Sequence, residues 1–171
     1  MTQSVELLLD PETDAAVRDE WAALDNAELP SLGTVAAATN RPHITLWAGD
    51  ALPPGADDAL QRATPDLPMP VRLGALTCFG RRRFILVRQV VADRRLLDLQ
   101  APIARLCGAD DQSLLAPGRW TPHVTLALRL SAAQVGLALD VLGGSRERDA
   151  TAVGWRRWDG DSRREWSLPV G

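Results

Sequence analysis

The two histidines of this chain fall in one repeated frame. His43 sits in "RPHITL" (residues 41–46) and His123 in "TPHVTL" (residues 121–126), and the 171 residues hold no third histidine. With 10 threonines and 12 prolines in the whole chain, chance is a poor explanation for both histidines following a proline and preceding a threonine by two positions. The 80-residue offset can be tested elsewhere, and it holds. Pro42, His43, Thr45 and Leu46 map onto Pro122, His123, Thr125 and Leu126, with Val124 in place of Ile44, and Gly74, Gly80 and Arg83 map onto Gly154, Gly160 and Arg163.

The intervening segments repeat in order as well. "SVELLLD" (4–10) reads as a strand. Asp10 followed by Pro11 then reads as an N-cap with proline in the first turn, opening a helix over about 11–28 whose Ala15, Ala16, Trp21, Ala22 and Leu24 keep helical spacing. "PHITLWA" follows as a strand, "PPGADDALQRA" as a helix and "PVRLGALTCF" as a strand. A turn at Gly80, carrying Arg81 to Arg83, leads into the strand "FILVRQVV". "DRRLLDLQAPIARLCG" then reads as a helix, "TPHVTLALRL" as a strand and "SAAQVGLALDVLGG" as a helix closed by glycine, with "DATAVGWRRW" and "RREWSLPV" as closing strands. The expectation is a single domain, 1–171, of α+β class, built from two β-α-β-α-β units over about 4–80 and 84–168. A pseudo-twofold between such units would bring the two histidine strands to one central cleft.

Side chains alternate faces along a strand. His43, Thr45 and Trp47 are therefore expected on one face with Ile44 and Leu46 on the other, and His123, Thr125 and Ala127 opposite Val124, Leu126 and Leu128. Each frame sets an imidazole and a hydroxyl about 7 Å apart along the backbone. Two imidazoles suit displacement at a phosphodiester, one taking a proton from the nucleophile and one giving a proton to the leaving oxygen. Histidine alone titrates near neutrality without perturbation, at roughly 6.5. Threonine hydroxyls can hold the non-bridging oxygens as negative charge builds. This chemistry requires neither metal nor cofactor. Two histidines with no companion cysteine or carboxylate at short spacing fall short of the three or four protein ligands usual for zinc. The chain also lacks a GxSxG elbow, a P-loop and a GxGxxG turn.

Charge limits the partner. The net charge is −3, made of −9 over residues 1–70 (3 Arg, 12 acids) and +6 over residues 71–171 (16 Arg, 10 acids). A long nucleic-acid footprint needs many neutralised phosphates, so the expected ligand is a small nucleotide or a strand end. No apolar run is long enough to cross a bilayer. The N-terminal "MTQSVELLLDPETD" does not read as a secretory signal, so a cytoplasmic monomer is expected. Cys78 and Cys107, 29 residues apart and outside any CxxC, are expected as buried thiols.

These residues resemble the two-histidine phosphoesterases, which include the bacterial RNA 2',3'-cyclic phosphodiesterases also called 2'-5' RNA ligases. The resemblance rests on "PHITL", "PHVTLA", their separation and the element order over nearly the whole chain. It implies a bilobal α+β fold, with antiparallel sheets around a central cleft and helices outside. It also implies His43 and His123 as acid and base, Thr45 and Thr125 as phosphate-binding residues, and a 2',3'-cyclic phosphate at an RNA 3' end or on a nucleotide as substrate. The RNA-ligase branch often continues its first motif with Phe-Leu-Gly where this chain has "WAGD" (47–50), and often has arginine where Leu128 stands. A side branch acting on another phosphodiester is thus also compatible. A non-catalytic nucleotide- or RNA-end-binding module would be marked by loss of a histidine or threonine, and all four are present.

Three further residues are candidates for substrate contact. Trp47 is either a stacking surface for a base or a packing residue, and Trp120 walls the site or caps a core. Arg81, in its turn, reaches phosphate or is simply solvated. Trp155 and Trp158 flank Arg156 and Arg157, and alternation allows only one of these arginines to face the cleft.

Overall fold

The computed structural model describes residues 2–143 and 147–171, which leaves Gly144 of the expected terminal Gly-Gly outside the described residues. The elements run β1 (Gln3–Leu9), α1 (Pro11–Asn26), β2 (His43–Gly49), α2 (Ala56–Arg62), β3 (Met69–Gly80), β4 (Phe84–Val90), α3 (Arg94–Leu106), β5 (His123–Leu130), α4 (Ala132–Val141), β6 (Arg148–Asp159) and β7 (Arg164–Ser167), with one 3-10 turn at Leu32–Thr34. None of the helices described is long and apolar enough to cross a membrane.

Local chemistry sets these boundaries. Asp10 accepts from the Thr13 amide at 2.9 Å and the Thr151 amide at 2.7 Å, capping α1 and tying it to β6. Asp93 caps α3 through the Leu96 amide at 2.8 Å, and Ser131 and Gln134 form a reciprocal capping box at the start of α4. Just past the end of α4, Gly143 takes the left-handed conformation (φ 66°) that closes helices. At the β3–β4 turn Gly80 has φ 109°, and a Cβ there would lie 2.3 Å from the Arg83 carbonyl, so only glycine fits.

All strands join one antiparallel sheet in the order β2-β1-β6-β3-β4-β5, with β7 added on β6. The fold is thus α+β, as expected. The ends of that path, β2 and β5, come back into contact with each other, so the strand that begins with His43 lies near the strand that begins with His123. The long helices cross over: α1 packs against β5, and α3 packs against β2. Ile44, Leu46, Val124 and Leu126 are fully buried, each contributing roughly 1.5–3 kcal/mol, and this burial fixes which face His43, Thr45, His123 and Thr125 turn outward.

Alternation fails after each threonine. In β2, Thr45 pairs with Glu6 and Trp47 with Val5, which leaves Leu46 as an extra residue. In β5, Thr125 pairs with Val87 and Ala127 with Leu86, which leaves Leu126 as the extra one. Such a bulge resets the faces. Trp47, expected beside His43, instead turns into the core and is only 4% exposed. Leu128, expected opposite Thr125, is exposed.

Candidate active site

Each histidine leads its strand, and each ring is fixed in the same way. His43 Nδ1 lies 2.6 Å from the Arg41 carbonyl and His123 Nδ1 lies 2.7 Å from the Thr121 carbonyl, in each case the residue two positions before. A carbonyl only accepts, so both Nδ1 atoms carry the proton. This leaves the Nε2 atom of each ring as its position for proton transfer. The Thr45 and Thr125 side chains are half-buried, and among the described residues neither hydroxyl is engaged in a hydrogen bond. Both are available to a ligand.

The strands behind the histidines differ. Glu6 of β1 pairs with Thr45, and its carboxylate lies 3.5 Å from His43 Nε2. That is an ion-pair distance, too long for a hydrogen bond. Glu6 is buried and accepts from Ser4 Oγ at 2.6 Å and from Arg156 Nε at 2.7 Å. Burial alone would raise its pKa, but His43, Arg156 and these hydrogen bonds together hold it below its ordinary value. The buried Arg156 also pairs with Glu165 and donates to the Thr39 carbonyl at 3.0 Å. Without a proton on His43, the cluster of Glu6, Glu165 and Arg156 has a net charge of −1; with it, the charge is balanced.

His123 has no such carboxylate. Val87 stands opposite Thr125, and the Phe79 ring meets the imidazole edge-on at 5.0 Å between centroids. Burial pushes the His123 pKa below its ordinary value; the Thr121 carbonyl opposes this and the charge of His43 adds to it. The two histidines are thus close enough to influence each other.

The backbone behind each threonine is held by an indole from the opposite half of the chain. Trp120 Nε1 donates to the Thr45 carbonyl at 3.0 Å, and Trp21 Nε1 of α1 donates to the Thr125 carbonyl at 3.0 Å. Trp120 is 7% exposed and belongs to the core. Of its two sequence roles the structure keeps the packing one, so it supports the site without facing a ligand. Arg81 is exposed in the β3–β4 turn and is not part of the cavity at His43.

That cavity, about 790 Å³, is lined by His43, Glu6, Arg156, Trp158, Arg163 and the loop at 35–40, among others. Of the adjacent arginines, only Arg156 faces it, as alternation requires. Arg157 points away to Asp57 and Gln3. Sequence reasoning missed Glu6, though a lone acid in the apolar "SVELLL" was a visible signal. It also missed Phe79 and Trp21, which reach the site only through tertiary packing. Among the described residues, no three His, Cys, Asp or Glu side chains are grouped to hold a metal ion. Burial raises the thiol of Cys78 and, more strongly, that of Cys107, which is pushed up to about 12.

The family model of the 2'-5' RNA ligase superfamily matches residues 11–156, a span holding both histidine frames. The chain belongs to that superfamily. Three solved structures share the fold over nearly the whole length. TT0787 of Thermus thermophilus has 18% identity and a TM-score of 0.59, with 99% of each chain covered. A phosphoesterase has 14% identity and a TM-score of 0.52, with 98% of each chain covered. LigT of E. coli, solved in complex with 3'-AMP, has 16% identity and a TM-score of 0.53, with 99% of this chain and 94% of that one covered. No curated protein sequence matches the chain. As a member of this phosphoesterase and ligase superfamily, the chain is of an enzyme family, and its two His-x-Thr strands sit where the sheet ends meet.

Proposed function

We propose that this superfamily member hydrolyses 2',3'-cyclic phosphates at RNA ends or on nucleotides, with His43 as general acid and His123 as general base. The observation that carries the assignment is the unlike setting of two identically tethered imidazoles. A proton on His43 Nε2 balances the buried charge of Glu6, whereas His123, beside Phe79 and with its pKa lowered, is held neutral with a free Nε2 lone pair.

Water attacks phosphorus and gives its proton to His123 Nε2. The bond from phosphorus to one ribose oxygen breaks, and that oxygen takes the proton from His43 Nε2. The product is a nucleoside monophosphate, and the Thr45 and Thr125 hydroxyls donate to the non-bridging oxygens as charge builds on them. The 3'-AMP bound by LigT is a product of this kind, which supports the reading. With a 5'-hydroxyl in place of water, the same ring opening joins two RNA ends; hydrolysis dominates because water is abundant. We also take the chain as one domain of two duplicated halves, since β2 and β5 begin 80 residues apart, each with a bulge after its threonine.

The test is incubation with 2',3'-cyclic AMP, with ring opening followed by phosphorus NMR. Turnover lost in both His43→Ala and His123→Ala supports the assignment, and turnover surviving either change sinks it. Nucleotide binding without turnover in the unmodified protein would instead identify a binding module.

A further inference from the structure

The cavity beside His43 is larger than proton transfer to a phosphodiester requires. At about 790 Å³ it falls within the range of sites that enclose a whole small ligand. Trp158 lies two residues from Arg156 on β6, on the same face, and both line the cavity. Another part of the wall is the loop at Val35, Ala37 and Ala38, apolar residues left exposed with no core to cover them. This loop is fixed at its far end, where Arg156 donates to the Thr39 carbonyl and Asn40 Nδ2 donates to the carbonyls of Leu32 (2.8 Å) and Val35 (3.2 Å). Arg163 also lines the cavity, and among the described residues no carboxylate or carbonyl holds its guanidinium.

An indole, a fixed apolar loop and an unengaged guanidinium around one cavity match a planar base carried on a phosphate. Aromatic stacking holds unpaired bases with little regard to their identity. The position is decided by His43: if it protonates the leaving ribose oxygen, then the ribose and its base lie on the His43 side. We propose that this cavity seats the nucleoside that carries the cyclic phosphate, its base stacked on Trp158 and covered by the loop at 35–38. This rests on the acid role of His43 given above, and it makes the enzyme select ribonucleoside cyclic phosphates over base-free ones.

The experiment compares 2',3'-cyclic AMP with glycerol 1,2-cyclic phosphate, which carries the same ring without a base, in the unmodified protein, Trp158→Leu and Ala37→Leu. The second variant fills the cavity from an exposed loop and leaves the sheet untouched. The unmodified protein should prefer the nucleotide in kcat/KM, and each variant should shrink that preference about tenfold, mainly through KM. Titration with adenosine 3'-monophosphate, read by calorimetry, should show a matching loss of affinity in both. The proposal is overturned if neither variant changes the preference or the affinity. Failure of the phosphodiesterase reading itself is distinguishable: no variant would then turn over either cyclic phosphate, while the titration would still report whether the cavity binds a nucleoside.

Discussion

The strands β2 and β5 share their design and differ in their neighbours. In both, the imidazole gives its Nδ1 proton to the carbonyl two residues back, a bulge follows the threonine, and an indole from the other half holds the threonine carbonyl. Behind them stand Glu6 in one case and Val87 in the other. The shared features set geometry: ring orientation, tautomer and the direction of the hydroxyls. In the proposed mechanism the unshared residue sets the role of each imidazole: Glu6 offers a protonated ring a counter-charge 3.5 Å from Nε2, and Val87 offers none. On that proposal, one frame used twice supplies both an acid and a base without changing the frame.

The largest effects are expected at the histidines. His43→Ala and His123→Ala should each lower kcat about 10²–10⁴-fold on 2',3'-cyclic AMP. The double variant should be little worse than either single one, since acid and base act in the same step. A multiplicative loss would break the pairing.

Arg156 comes next. It is buried between Glu6 and Glu165, and Arg156→Met leaves one buried carboxylate unpaired, which should cost about 3–5 kcal/mol in urea unfolding. Stability should also fall on acidification. Glu6 has a lowered folded pKa, so its contribution is present above the ordinary carboxylate value and lost as pH falls through the lowered one. His123 adds to this: below roughly 6.5 the unfolded chain takes up its proton first. Replacing His123 with Gln should flatten the curve over the pH range starting at about 6.5 and extending downward.

Glu6→Gln tests the comparison directly. The variant keeps the shape and most hydrogen bonds but removes the charge beside His43. The rate profile should be a bell whose acidic limb, set by His123, has its midpoint below about 6.5. Removing the Glu6 charge should slow turnover and leave the acidic limb in place. If the acidic limb moves instead, the roles of the two histidines are reversed.

The element order, the cap at Asp10 and the four residues of the two frames could be read from sequence because their signals are local: a period, a proline, a histidine two residues from a threonine. Trp47 could not, because a bulge depends on how β1 pairs with β2, and one inserted residue moves the indole from site to core. Glu6 stood in plain sight as an acid among leucines, yet its meaning needs the register that sets it against Thr45. Trp21 read as a helix residue on an apolar face, and nothing local says that its ring nitrogen serves a strand 104 residues away.

The indole brackets are the smallest and most symmetrical test. Trp21→Phe and Trp120→Phe each remove one hydrogen bond to a threonine carbonyl while keeping an aromatic ring in the core, so each should cost about 1–2 kcal/mol. The two bonds share no donor or acceptor, and their losses should add to within about 0.5 kcal/mol in the double variant. Similar costs would confirm that the halves are held alike, leaving the Glu6 and Val87 difference as the source of the asymmetry in function. A coupling well beyond that margin would mean that the brackets yield together. The two histidine strands would then be a single structural unit, and their roles could not be assigned by comparing one with the other.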